Sequence, residues 1–282
     1  MKNIAYYNGK IAPIEEMMVP MNDRACWFGD GVYDATIAVN HIPMHFDDHI
    51  DRIYRSAKLI DIDIPMEKSE MKQMIQSLVD QVEGDSLFVY WQVTRGVGMR
   101  NHPYRAVEGK PSIWAWVRPN GMRDVYGAYK CITMEDTRFL HCNIKTINLL
   151  PAVIANQRAE EAGCDETIFH RGERVTECSH SNVHIIKDGV LKTAPCDNLI
   201  LPGIVRMHIL ELCRELGIEV IEEPFTVEEM FAADEIFFSS SSALTSRVCE
   251  IDGKPVGMKD EKTFAAIRDA YQVLVKKECG KQ

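Results

Sequence analysis

An α+β chain of two domains is what the 282-residue sequence predicts. Three observations lead there. Residues 3–13 place Asn8-Gly9 between two short runs, a hairpin signal, and longer alternating strands follow at 32–39, 87–95 and 112–117. Two segments of helical periodicity, 46–61 and 67–82, are interleaved with those strands. Turn residues then cluster at Pro119-Asn120-Gly121. A boundary is expected there, with a small α+β domain over 1–120 and a larger domain over 121–282.

Each element has its own reason. Gly29-Asp30-Gly31 marks a turn before the strand at 32–39. In the helix at 46–61, Ile50, Ile53, Tyr54, Ala57 and Ile60 share one face, and Asp47 or Asp48 is the expected cap. Between the strands at 87–95 and 112–117 lies a glycine-bearing loop, 96–105. The second half opens with a strand at 129–134, then a helix at 149–162 that Gly163 ends. Short strands are expected at 166–170, 174–177, 182–187 and 190–193. Gly203 opens a helix that runs to Leu216 and stops at Gly217. A strand at 218–222, a short acidic helix at 227–232 and a strand at 235–238 follow. After Ser239-Ser-Ser-Ser242 come one more strand and a closing helix at about 261–278.

Composition bounds the function. Apolar residues make up 46% and charged residues 26%, an ordinary globular balance. A formal charge of −10 argues against a nucleic-acid surface or an anionic membrane, while leaving room for a local basic pocket. No apolar run approaches the length that spans a bilayer, and residues 1–20 lack the apolar core of a signal peptide. The nine cysteines include no C-x-x-C pair and fit a reducing cytoplasm. No metal site is expected. His41, His45 and His49 are spaced by four, but Pro43 interrupts any helix there.

Chemistry concentrates in 140–182. Lys145 stands among apolar neighbours just before a helix, where poor solvation of its charged form favours a nucleophilic amine. Glu177 lies in an alternating strand some thirty residues on. A carboxylate against a pyridine nitrogen keeps that nitrogen protonated, so the two residues together suggest pyridoxal phosphate chemistry. Gly203-Ile204-Val205 opens a helix whose first amides welcome an anion, although an ordinary helix start reads the same way. Arg52 on the amphipathic helix offers an inward cation or a surface arginine, and the serines at 239–242 offer hydroxyls or a polar turn. Arg100 and His102, two residues apart, could clamp a carboxylate with the Tyr33 hydroxyl, or belong to a surface loop.

These pieces resemble the fold-type IV pyridoxal-phosphate enzymes: D-amino-acid and branched-chain aminotransferases and aminodeoxychorismate lyases. The likeness spans about 3–275 and rests on Phe28-Gly-Asp-Gly-Val-Tyr33, His49-Ile-Asp-Arg52, Cys142-Asn-Ile-Lys145-Thr-Ile-Asn-Leu-Leu150, Val175-Thr-Glu177, Ser181-Asn182-Val183 and Gly203-Ile-Val-Arg206. The D-amino-acid aminotransferases look most similar. The resemblance implies a small α+β domain, a larger pseudobarrel α/β domain and pyridoxal 5'-phosphate as cofactor. It implies Lys145 as the amine that condenses with the cofactor and then shuttles the proton, and Glu177 as partner of the ring nitrogen. Arg52, Ile204, Val205, Ser240 and Ser241 would hold the phosphate, and Leu201 would support the ring. Arg138 and His49 would buttress the glutamate. Tyr33, with Arg100 and His102 lent by a second copy, would trap the substrate carboxylate in a homodimer. The implied reaction is transamination between D-amino acids and 2-oxo acids, with the lyase and the branched-chain L-specific transaminase as alternatives. One departure is His180, where the family pattern carries a small serine.

Overall fold

A computed structural model describes residues 1–104, 107 and 109–280. Arg105, the last residue of the loop expected at 96–105, lies outside the described residues. The chain divides into two compact units. The first comprises Met1–Gly121, Ile144–Asn148 and Lys276–Gln282, and the second Met122–Asn143 and Leu149–Val275. Expecting 121–282 as one domain places Lys145 in the wrong unit. Residues 144–148 belong to the first because their backbone pairs with its strand at Gly31–Val39, an interaction that periodicity within a segment does not report.

In the first unit, β1 (Ile4–Tyr7) and β2 (Lys10–Ala12) form the expected hairpin. Asn8 and Gly9 both take positive φ, +44° and +94°, as a two-residue turn between twisted strands requires. A short helix the sequence reading missed, α1 (Arg24–Phe28), is capped by the Asp23 carboxylate on the Ala25 amide. Five residues are too few to show a period. Next come β3 (Gly31–Val39), β4 (Ile42–Pro43), α2 (Phe46–Lys58), α3 (Lys68–Val79), β5 (Ser86–Thr94) and β6 (Ser112–Pro119). The strands make an antiparallel sheet in the order β2-β1-β6-β5-β3-β4. Its core joins Ile50, Ile53 and Ala57 of α2 and Met71, Ile75 and Leu78 of α3 to Val32, Val89, Trp91 and Val117.

Neither Asp47 nor Asp48 caps α2. The N-cap is His45, with φ +49°, and its amide donates to Glu278 Oε1 at 2.7 Å. Both aspartates lie inside the first turn, where negative charge favours the helix start without capping it. The buried face of α2 also carries His49, Arg52 and Ser56, polar residues on an otherwise apolar stripe.

The second unit begins with β7 (Ala128–Glu135) and α4 (Leu150–Glu161). Strands β8 (Glu166–Arg171), β9 (Arg174–Cys178), β10 (Asn182–Lys187) and β11 (Val190–Thr193) follow. Then come α5 (Ile204–Glu215), β12 (Val220–Glu222), α6 (Val227–Ala232), β13 (Glu235–Ser240), β14 (Leu244–Ile251), β15 (Lys254–Pro255) and α7 (Glu261–Cys279). The sheet runs β12-β11-β10-β13-β14-β7-β8-β9, with β15 on β14, and is parallel at β11–β12, β14–β7 and β7–β8. Val183, Ile185, Ile236, Phe238 and Val248 form its core with Phe225 and Met230. In α6 the Thr226 hydroxyl accepts from the Glu229 amide while Glu229 returns to the Thr226 amide, a reciprocal cap.

Gly31 sits where β3, β5 and the 144–148 segment meet. A Cβ there would lie 2.7 Å from Val93 O and 3.1 Å from Thr94 Cα, both backbone, and Gly31 O accepts from the Ile147 amide at 3.2 Å. Gly31→Ala is expected to cost about 1–3 kcal/mol, the usual penalty for forced overpacking. Urea denaturation measures this, and an unchanged midpoint would show that the strands part freely.

Candidate active site

The first unit sets Lys145 beside Tyr33 through the backbone. Tyr33 N donates to Lys145 O at 2.9 Å, and Thr146 bridges Val32 in antiparallel sense. The two side chains therefore leave β3 and the adjoining 144–148 segment on one side. Lys145 Nζ donates to the Tyr33 hydroxyl at 3.2 Å and lies 4.2 Å from the ring centre. Tyr33 in turn stacks on Tyr90, with centroids 5.4 Å apart and planes at 20°. The lysine is half-buried, and its amine has a hydroxyl and a π face for company.

One residue along β3 the pleat turns inward, and Asp34 is fully buried. It accepts from Arg52 Nε at 2.8 Å, Arg52 Nη2 at 2.7 Å and His49 Nδ1 at 2.8 Å. Burial pushes the Asp34 carboxyl upward, but the charges of Arg52 and His49 and their hydrogen bonds hold it well below the usual carboxylate range. Burial also lowers the pKa of His49, despite the neighbouring carboxylate. Arg52 is thus an inward cation, locked by two parallel bonds. Asp34 went unnoticed in the sequence reading. Its signal was a lone acid at an inward position of an alternating strand.

In the second unit Glu177, on β9, is buried. Its Oε1 accepts from Arg138 Nη1, and its Oε2 accepts from the Leu201 amide at 2.9 Å and Asn182 Nδ2 at 3.0 Å. Arg138 is itself fixed by Asp136, which takes its Nε at 2.9 Å and Nη2 at 2.9 Å, and also binds Arg171 Nε at 3.2 Å. Burial raises the Asp136 pKa, and the hydrogen bonds and charge of Arg138 more than reverse that. Sequence reading named Arg138 and Leu201 but missed Asp136, Arg171 and Asn182 as parts of this network.

Gly203 is the N-cap of α5, so Ile204 and Val205 supply first-turn amides that have no acceptor within the helix. The end of β13 supplies Ser240, whose hydroxyl accepts from the Ala243 amide at 3.2 Å and closes its own turn. Ser241, half-buried, follows in that turn. His180 is half-exposed. Its Nδ1 lies 3.0 Å from Glu166 Oε2 and 3.0 Å from Ser179 Oγ, and the Ser181 hydroxyl reaches the same Glu166 oxygen at 3.0 Å. Glu166, fully buried, was another residue that sequence alone did not single out.

Arg100 and His102 are exposed. Both lean on Phe28: the Arg100 guanidinium carbon is 5.3 Å from its ring centre, and the His102 ring is 5.2 Å away. Arg24 holds their loop through the carbonyls of Asn101 and His102, at 2.5 and 3.3 Å.

Together these parts define a class: an α+β protein that presents a lysine amine, a buried and braced carboxylate, and an anion-accepting helix start. The model of the family described as amino-transferase class IV matches residues 31–251, and the chain belongs to that family. It is 39% identical over 280 residues to a D-alanine aminotransferase of Listeria monocytogenes, covering 97% of this chain and 96% of the relative. A D-alanine aminotransferase of Bacillus licheniformis is 38% identical over 253 residues, 89% of each chain. Among solved structures, a branched-chain aminotransferase from Thermoproteus uzoniensis with norvaline superposes with a TM-score of 0.88 at 25% identity, covering 98% of this chain and 95% of the other. The branched-chain aminotransferase of Escherichia coli shares the fold with a TM-score of 0.88 at 22% identity, over 100% and 97% of the two chains. The chain is an aminotransferase of the fold-type IV class.

Asp34→Ala, which leaves Arg52 without its buried counter-charge, is expected to cost about 3–5 kcal/mol by chemical denaturation; a loss below 1 kcal/mol would mean that water already reaches Arg52. The pH dependence follows from His49. With its folded value below the ordinary 6.5, the unfolded chain binds a proton that the folded chain refuses, so stability falls as pH drops from 6.5 toward the lowered value. Asp34 adds stability above its ordinary 3.8 and loses it only as pH falls through its depressed value. Denaturation midpoints between pH 7 and 5 should therefore decline, with a shallower slope in His49→Gln. Equal slopes would remove His49 as the cause.

Proposed function

We propose that this chain is a pyridoxal-5'-phosphate-dependent transaminase that moves an amino group between D-amino acids and 2-oxo acids. The observation that carries the reading is the buried Glu177 carboxylate, braced by Arg138, Asn182 and the Leu201 amide. A carboxylate so held has no freedom to turn away from a ring nitrogen. The Gly203 helix start nearby in the same unit suits a phosphate, and Gly203 leaves it no side chain to avoid. The donor set therefore fits a phosphorylated pyridine. D-alanine aminotransferases among the relatives, at 38–40% identity, support the choice of amino acid.

When bound, pyridoxal phosphate supplies an aldehyde that accepts an amino group and a ring that withdraws electrons from the substrate Cα. Lys145 would hold the cofactor through its Nζ, and the same nitrogen would take and return the substrate's Cα proton. The Tyr33 hydroxyl, in contact with that nitrogen, orients it. Glu177 would keep the ring nitrogen protonated, and Leu201 would support the ring. Arg52, the amides of Ile204 and Val205, and the hydroxyls of Ser240 and Ser241 would hold the phosphate. Arg100 and His102 are exposed in a single chain, which suits lending them to the neighbouring active site of a homodimer, where they and Tyr33 bind the substrate carboxylate. All nine cysteines are free, in keeping with a cytoplasmic setting. Among the described residues no helix is long and apolar enough to cross a membrane.

Purified protein with pyridoxal phosphate, D-alanine and 2-oxoglutarate is expected to yield pyruvate and D-glutamate. Turnover of L-amino acids alone would overturn the stereochemical assignment in favour of a branched-chain L-specific enzyme. Release of 4-aminobenzoate without an amino acceptor would instead identify an aminodeoxychorismate lyase.

A further inference from the structure

We propose that Asn182 is a positioning residue, a strut that fixes the spacing between the Glu177 carboxylate and the N-terminus of α5, and so matches the second unit to a ligand of one length. The inference rests on the functional reading above, in which Asn182 only braces Glu177, and extends that brace to the start of α5. Asn182 is the first residue of β10, is 5% exposed, and is paired with Ser239 of β13, so its backbone belongs to the sheet. From that fixed point one side-chain amide reaches three places. Its Nδ2 donates to Glu177 Oε2 at 3.0 Å and to Leu201 O at 3.0 Å. Its Oδ1 lies against Gly203, so close that a Cβ on that residue would stand 2.0 Å away.

The orientation of the amide is forced. Turned over, its oxygen would face a carboxylate oxygen and a carbonyl oxygen, with no donor between three acceptors. The Leu201 amide closes the circuit by donating to the same Glu177 oxygen at 2.9 Å. The carboxylate, the 201–203 segment and the helix N-cap are thereby tied through one residue. Gly203 follows from the same contact: its φ is −70°, which any residue adopts, so space and not backbone conformation excludes a side chain. A ligand gripped at a ring nitrogen by Glu177 and at a phosphate by the α5 amides needs these two ends at a set separation. Ligands that engage only one end do not.

The test compares apoprotein affinities for pyridoxal 5'-phosphate, for unphosphorylated pyridoxal and for inorganic phosphate, alongside thermal melting of the apoprotein. In Asn182→Ala, affinity for pyridoxal phosphate should fall by about tenfold or more, the size expected for losing a hydrogen bond to a charged group. Affinities for pyridoxal and phosphate separately should change less than threefold. Asn182→Asp keeps the volume and the Gly203 contact but sets an acceptor against Glu177, and should show the same selective loss. Gly203→Ala should weaken cofactor binding in the parent and much less in the Asn182→Ala background. Unchanged pyridoxal phosphate affinity in both Asn182 variants overturns the proposal. So does a proportional fall for all three ligands with lowered melting, which marks a general structural role. If the parent protein itself takes up no pyridoxal phosphate, with no visible absorbance band, it is the functional reading that fails, and the strut falls with it.

Discussion

Three chain segments distant in sequence donate to one carboxylate. Arg138 follows β7, Asn182 opens β10 and Leu201 precedes α5, and each gives Glu177 a hydrogen bond. A buried carboxylate demands such company, since an unpaired charge in a low dielectric costs several kcal/mol. Meeting the demand orders the segments that meet it. The loop before α5 is fixed by its own amide at Leu201 and its own carbonyl on Asn182, so the helix start is placed as a by-product of satisfying Glu177. Asp136 extends the same logic outward: it clamps Arg138 and Arg171, so the cation that faces Glu177 has little rotational freedom.

The first unit repeats the device with the signs reversed in purpose. There the charge to be placed is Arg52, and Asp34 is the buried anchor that holds it, assisted by His49. Alternation along β3 then does two tasks with adjacent residues. Asp34 points to the helices and fixes the arginine, while Tyr33 points the other way and meets Lys145. A shift of register by one residue would exchange the two faces, which is why the crowding of Gly31 against Val93 and the pairing of β3 with residues 144–148 matter to the chemistry.

Much of the fold was legible because its elements are long or strongly patterned. The alternation of β3, β5 and β6, the apolar stripe of α2 and the glycines after α4 and α5 each encode a local preference that the tertiary structure did not override. What escaped was short or non-local. Helix α1 has five residues and hence no period, and the cap of α2 is a left-handed His45 whose amide is satisfied by Glu278, more than two hundred residues away. Asp34, Asp136 and Glu166 escaped because each is an ordinary polar residue in one dimension and becomes significant only through the burial and the set of partners that the fold supplies.

By itself, then, the sequence determined the residue types that can do the chemistry and the local elements that carry them: a lysine before a helix, a glutamate in a strand, a glycine at a helix start. Tertiary structure alone decided which groups share hydrogen bonds, that residues 144–148 bridge to β3 within the first unit, and that one asparagine amide serves both Glu177 and the approach to α5. The physical reason is range. Propensity and periodicity act over a few residues, whereas satisfying a buried charge draws donors from anywhere in the chain that the fold brings within 3 Å.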